Sequence, residues 1–192
     1  MAHDPRFACG HLCLDFLATT HPEEQLDSAA RLRDWITAAG LVPEGTPLDH
    51  IAPEWLVGFR ELRGHIGQLV RTEPDRKPDS RPFDLSLARV NELAGAATPA
   101  PRAVRADDGA LTRALDHAPD RAALLAVIAR DTVELLTDPA ACASLRQCAG
   151  DNCPIVYVDT SRGRRRRWCS SEICGNRERV ARHRRRAGLA RA

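Results

Sequence analysis

The sequence predicts a mainly α chain with minor β content: a helical N-terminal domain bearing one small β-hairpin, then a short C-terminal unit of different composition. Three observations point there. Hydrophobic residues make up 43% of the 192 positions, enough for a real core, but aromatics only 4%, so Leu, Val, Ile and Ala must fill it. Apolar residues recur at helical spacing in several windows, and strand-like stretches are short. Charge is also unevenly divided. From Ser144 onward there are thirteen arginines, no lysine and four acids, a local +9, which leaves residues 1–143 at −7 within an overall +2. The expected division is residues 1–140 and 141–192, with no internal repeats. A chain of this length has no room for two large domains.

The first apolar segment, Leu12 to Leu17, runs into a break at Thr19-Thr20-His21-Pro22. A helix is expected from about Ser28 to Ala39, capped by Asp27 and stopped by Gly40, with Leu32, Trp35, Ile36 and Ala39 on one face. Pro53 suits the first turn of the next helix, where Trp55, Leu56, Phe59, Leu62, Ile66, Leu69 and Val70 form the best amphipathic pattern in the chain. Thr72 to Pro82 is charged and proline-rich, hence a loop. Leu85, Leu87, Val90 and Leu93 suggest a helix ending near Gly95. Arg102–Ala106 and Ala110–Leu115 read as a hairpin turning at Asp108-Gly109. A further helix spans about Pro119 to Leu136, and Thr137-Asp138-Pro139 closes the domain.

The N-terminus lacks the charged region, apolar run and cleavage site of a signal peptide. No segment reaches the roughly 18 uncharged apolar residues of a membrane span. A cytoplasmic location without membrane contact is therefore expected. Thiols stay reduced there, and seven cysteines, an odd number, argue against a full disulfide framework.

Four of those cysteines are paired. Cys148-x4-Cys153 is followed after fifteen residues by Cys169-x4-Cys174. Each pair can sit on a tight turn, and the spacer can fold back so that the turns face each other, which suits one tetrahedral, all-thiolate Zn2+. Ile155–Val158 is strand-like, Thr160–Gly163 turn-like with Gly163 supplying the permissive backbone, and Arg164 to Trp168 can return alongside the strand. The second pair opens a helix with Ser170 or Ser171 as N-cap, Glu172 at its positive end and Gly188 as terminator. Ile173, Val180 and Ala187 make a narrow apolar stripe for docking. Knuckle, hairpin and ligand-bearing helix resemble a treble clef. Four thiolates leave no open position on the ion, so the zinc is expected to be structural rather than catalytic.

The stretch Arg166 to Arg177 contains Cys174-Gly175-Asn176-Arg177 and resembles the signature of the CGNR zinc-finger family, as do Asp159–Arg162 upstream and the arginine-rich helix downstream. More loosely, Cys13–Thr19 and the later Leu32–Ile36 resemble the ABATE domain, although the family pattern has Asn where this chain has Ala18. The resemblance implies a stress-linked bacterial transcription regulator with a helical sensing or dimerising domain and a C-terminal finger.

Arginine grips phosphate through a bidentate fork and stays charged, so Arg162, Arg164, Arg165, Arg166, Arg167, Arg177, Arg179, Arg182, Arg184, Arg185 and Arg186 are the candidate DNA contacts. Arg177 has an alternative role bracing the zinc knuckle with Asp159. Asn176 reads as a backbone cap, and Trp168 as packing over the finger. The charge split also fits two halves that simply dock on each other. Cys9, His11, Cys13 and His21 form a second cluster, better read as buried thiols on an apolar helix; Cys142 reads as a core thiol, and His65 and His117 have no evident partners. No phosphate loop, nucleophile elbow or spaced carboxylate pair supports an enzyme. The expected function is a zinc-finger DNA-binding regulator, as a homodimer or with a small-molecule effector, nucleoid-associated when bound. The rivals are a module for RNA or an acidic protein, and an enzyme with a pocket near His11 and His21.

Overall fold

Helix α1 (Leu12–Ala18) buries five of its seven residues, Cys13, Leu14, Phe16, Leu17 and Ala18, and ends at Thr19, whose hydroxyl donates to Phe16 O at 2.7 Å. The structure is a computed structural model; it describes residues 7–71 and 81–189, without the side chains of 186–189. After the cis His21–Pro22 bond, helix α2 (Ala29–Ala38) begins at Ser28. Its hydroxyl, not the carboxylate of Asp27, accepts the Arg31 N–H at 3.3 Å. Ser28 has the extended backbone that a cap needs, and Asp27 lies one position too early. At the other end Gly40 takes φ +69, which lets the Leu41 N–H return to the Ile36 carbonyl at 3.1 Å.

Helix α3 (Trp55–Val70) buries Leu56, Phe59, Leu62, Ile66 and Leu69, the stripe expected from spacing, and also Arg63. Helix α4 (Arg81–Ala94) starts inside the expected loop, at Arg81-Pro82; residues 72–80 of that loop lie outside the described residues. Its buried positions are Ser86 and Val90, while Leu85 is 63% exposed and Leu87 36%. The helix is rotated away from the apolar face that spacing alone would choose, because it packs on both α3 and the helix that follows the hairpin.

The hairpin forms in the expected place. Strands β1 (Pro101–Arg105) and β2 (Leu111–Leu115) pair antiparallel from Pro101↔Leu115 to Arg105↔Leu111. Gly109, at φ +84, allows the turn. Helix α5 (Arg121–Thr137), capped by Asp120 on the Ala123 N–H at 2.7 Å, is the central post; α1, α3 and α4 all pack against it. Asp138 then ends α5 and caps an unanticipated short helix, α6 (Pro139–Ala143).

The core centres on Phe16, whose ring lies 4.9 Å from Trp35 and 6.1 Å, edge to face, from Phe59. Beyond α6, β3 (Leu145–Gln147) pairs antiparallel with β4 (Val156–Val158), and a widened turn (Ser171–Gly175) leads into α7 (Asn176–Leu189). The segment ahead of α1 ties the two ends of the chain together. Cys9 O accepts the Val158 N–H at 2.8 Å, and Gly10, at φ +93, lies so close to β4 that a Cβ there would come within 3.2 Å of Val158 Cβ. The buried residues of both parts form one continuous cluster.

Candidate metal centre and arginine surface

The four paired cysteines meet. Their sulfur atoms lie within 4.8 Å of one another and all four residues are buried. Cys153 Sγ is 3.8 Å from Cys169 Sγ, and Cys169 Sγ is 3.7 Å from Cys174 Sγ. A tetrahedral ion with Zn–S bonds of about 2.3 Å has S···S edges of about 3.8 Å, so the spacing fits. This is the only cluster of His, Cys, Asp or Glu among the described residues that could hold a metal.

Local structure explains the spacing. Cys148 directly follows β3 and Cys153 lies just before β4, so the first pair sits at the tip of a two-stranded hairpin. Gly150 N–H and Cys169 N–H donate to Cys148 Sγ at 3.4 and 3.3 Å. A Cβ on Gly150 would lie 3.2 Å from Cys174 Cβ and 3.3 Å from its sulfur, so the knuckle closes most easily over glycine. The second pair straddles the widened turn. Ser170 Oγ caps it by accepting the Ile173 N–H, and Gly175 N–H reaches back five residues to Ser170 O at 2.9 Å. Residues five apart are brought onto one side by this closure, which serves Cys169 and Cys174.

Thiol chemistry agrees with a cation. Burial, reinforced by neighbouring sulfurs, pushes Cys153 up to about 11 and Cys169 further still. Cys148 is lowered: burial works against its thiolate, but the N–H donors of Cys169 and Gly150 outweigh it. Clustered thiolates of this kind are stabilised by a divalent ion at their centre.

Several expectations for the surrounding chain need correction. The partner of β4 is Leu145–Gln147, upstream of the knuckle, and not Arg164–Trp168. The latter runs alongside as irregular backbone, tied by Ala149 N–H to Arg167 O at 2.8 Å and by the Tyr157 hydroxyl donating to Arg166 O at 2.7 Å. The left-handed position of its turn is Arg164, at φ +48, and not Gly163. Helix α7 continues through Gly188 to Leu189, the last described residue. Val180 is 42% exposed, so the stripe through Ile173 and Val180 is not docked at its centre.

Asp159 braces the loop rather than Arg177. Its carboxylate accepts the N–H groups of Ser161 at 2.9 Å and Arg166 at 3.0 Å, and its pKa is lowered, chiefly by the Ser161 side chain. Arg166, a candidate DNA contact, also has a structural duty in the finger. It stacks 4.2 Å above the Tyr157 ring, and its guanidinium donates to the carbonyls of Trp168, Cys169 and Ala8. An arginine in the middle of a basic run carries no sequence mark of this duty. Trp168 packs over Gly175, as expected, with Arg167 above its ring at 5.3 Å.

The other candidate arginines are on the outside. Arg162, Arg164, Arg165, Arg167, Arg177, Arg179, Arg182, Arg184 and Arg185 are all exposed; the side chain of Arg186 lies outside the described residues. Arg185 pairs with Glu178 at 3.0 Å, and Arg179 donates to Ser171 O at 3.2 Å. Asn176, also exposed, marks the junction of the widened turn and α7.

The N-terminal cluster has the blander role. Cys9 lies ahead of α1, not on it, and both thiols are buried. His11 Nδ1 meets Asp131 Oδ1 at 3.1 Å, while Asp131 Oδ2 accepts the Cys13 N–H at 2.7 Å, so Asp131 ties the start of α1 to α5. Cys142 donates its thiol hydrogen to Leu135 O at 3.2 Å. His65 meets Ser86 Oγ at 3.1 Å, and His117 approaches Asp116 at 3.7 Å.

Comparison with known families settles the architecture. The family model described as ABATE, "Putative stress-induced transcription regulator", matches residues 10–139, well over half the chain. The chain belongs to the ABATE family. A second model, the CGNR zinc finger, matches residues 144–187 and encloses all four cysteines. The site is thus the structural zinc centre of an ABATE protein's CGNR finger, and neither family is an enzyme family. No curated protein matches the chain. Among the described residues no helix is long and apolar enough to cross a membrane.

Proposed function

We propose that this ABATE protein is a transcription regulator that binds DNA through its finger, with residues 1–140 as a sensing body and 141–192 as the reading unit. The observation that carries this is α7. It leaves the zinc turn with five exposed arginines, Arg177, Arg179, Arg182, Arg184 and Arg185, against Glu178 alone within that stretch. A helix so charged gains little from folding against its own body and much from a phosphate backbone. Arg162, Arg164, Arg165 and Arg167 add a second basic edge on the loop that leads into Cys169. Zinc holds the two edges in fixed relation. Arg166 is the least available member of the contact set, because its Nε and Nη2 already donate to the carbonyls of Trp168, Cys169 and Ala8. On this reading the protein works in the cytoplasm, at the nucleoid when bound; if it acts as a homodimer, paired half-sites should appear in footprints.

The test is genome-wide crosslinking of the tagged protein beside a Cys169→Ser variant, followed by binding to a recovered site in rising salt. Discrete sites lost in the variant, with log affinity falling linearly in log salt, are the expected result. Identical sites in both proteins, or equal affinity for random DNA and RNA, would remove the finger from the role and favour RNA or an acidic protein.

A further inference from the structure

One face of α3, continued into its C-cap Arg71, reads Arg60, Arg63, Gly64, Gly67 and Arg71, the i, i+3, i+4, i+7 and i+11 positions of a single stripe. This stripe, with Leu17 and Thr20 opposite, lines a depression of about 500 Å³, within the size range of small-molecule sites. Its charge runs against its surroundings. The body carries a net negative charge, yet this hollow gathers three guanidiniums.

Two of them are held in place. Arg63 is 5% exposed; it donates to Thr19 Oγ1 at 2.7 Å and pairs with Glu24 through both terminal nitrogens. Arg60 is anchored by Nε and Nη2 on Leu26 O at 3.1 and 2.6 Å, and it too interacts with the charge of Glu24. Arg71 is in no ion pair among the described residues. Among the described residues, three guanidiniums line the hollow and Glu24 is the carboxylate that interacts with two of them, which leaves an excess of positive charge at a concave surface. Gly64 supplies the space: a Cβ there would meet nothing within 4 Å, so an exposed helix position that favours almost any other residue is kept empty, while a Cβ on Gly67 would come within 3.3 Å of Arg71 Nη1 and of Leu17 Cδ1.

We infer that this hollow on α3 binds a small anion, a molecule bearing phosphate or carboxylate groups that Arg60 and Arg71 grip across the floor of Gly64 and Gly67. Arg63 sets the potential from below. Charge-assisted hydrogen bonds from arginines, Arg60 among them already held in place, favour such a ligand over a neutral one. The inference is independent of what the finger binds, because the ligand is read directly and without DNA.

Titration calorimetry on the full-length, zinc-loaded protein tests it, with inorganic pyrophosphate and succinate as separate probes at matched ionic strength. Saturable binding of one probe is expected; pyrophosphate in preference assigns the phosphate class, succinate the carboxylate class. Arg71→Gln should weaken binding tenfold or more, and Gly64→Leu, which fills open space without disturbing the helix, should abolish it, both with unchanged zinc content and circular dichroism. Heat no greater than that of chloride at the same ionic strength, or binding untouched by Gly64→Leu, would overturn the site. So would a Gly64→Leu or Arg71→Gln protein that loses affinity for DNA but not for the probe.

Discussion

In residues 7–143 the fold is held by interlocked apolar side chains, with Phe16, Leu14, Leu32, Trp35, Phe59 and Ile66 all at 0–1% exposure around α5. Between Ser144 and Leu189 the buried set is small: four cysteines, Ile155, the β4 residues and Asp159 carry most of it. There the load passes to polar devices, each with a named partner. Asp159 takes two backbone N–H groups, Tyr157 holds a carbonyl, and Arg166 holds three. The difference teaches that the finger cannot reach stability by burial, so its geometry depends on the metal and on backbone hydrogen bonds. Continuity of the two cores through Cys9, Gly10 and Val158 makes the contrast testable, since a shared core could also make the chain melt as one unit.

The largest effect should follow metal removal. Structural zinc contributes about 10–16 kcal/mol of apparent binding energy in isolated fingers at neutral pH. Chelation, or Cys153→Ser, should change the emission of Trp168 while most of the helical circular dichroism persists, because Trp35 and Trp55 lie in the body and α1–α5 keep their own core. Cooperative collapse of the whole helical signal would show that finger and body are one folding unit and would break the comparison.

The converse perturbation is Phe16→Ala. Removing a fully buried ring that contacts Trp35 and Phe59 should cost about 3–5 kcal/mol. The denaturant midpoint of the helical signal should fall by that amount, with the zinc stoichiometry of the folded protein unchanged. Zinc loss from native Phe16→Ala protein would show that the core supports the knuckle directly.

The two regions also differed in how far sequence could reach them. Body helices were legible from spacing where one face alone was buried, as in α3, and least so in α4, where packing between two helices exposed Leu85 and buried Ser86. Caps depend on one residue's backbone angle, so Ser28 and Asp27 were not separable by type. In the finger the reverse held. The ligands were plain from pairing and spacing, since chemistry demands four thiolates in reach. What lay between was not: the strand partner of β4 was upstream, the left-handed residue was Arg164, and Arg166 was indistinguishable by composition from its neighbours. Glu24 and Arg63 also escaped notice, because 39 residues separate a pair that only tertiary packing joins.

That pair provides the pH test within the body. Burial alone would raise the Glu24 carboxyl, but the Arg63 hydrogen bond and the Leu26 N–H outweigh it and the pKa is lowered. A carboxyl depressed on folding contributes stability above its unfolded value of about 4.3 and loses it as pH falls through the folded value. With Glu24 38% exposed, solvent screening reduces the worth of the pair. Glu24→Gln should therefore cost about 2 kcal/mol at pH 7, mainly by leaving the buried Arg63 guanidinium without a counter-charge, since the Gln amide oxygen can still accept one of its hydrogen bonds. The gap between variant and parent should close below about pH 4. Taking that difference cancels the zinc that both proteins release in acid. A gap that does not narrow as pH falls below about 4 would mean that packing, not charge, is what Glu24 supplies.

The smallest effect should be Tyr157→Phe, and it discriminates most finely between the two regions. The Tyr157 ring is fully buried, stacked beneath Arg166, and burial pushes its hydroxyl up to about 12, so it remains a protonated donor to Arg166 O at any ordinary pH. The substitution keeps the ring and the stacking and deletes one hydrogen bond, a loss of about 1 kcal/mol. Arg166 should stay anchored, since the carbonyls of Trp168 and Cys169 hold its guanidinium independently of Tyr157. Zinc affinity, measured by competition with a chromophoric chelator, should then weaken by less than about tenfold. A much larger loss would show that the polar braces, and not the four thiolates, position the metal site, and the finger would then resemble the body in depending on its packing.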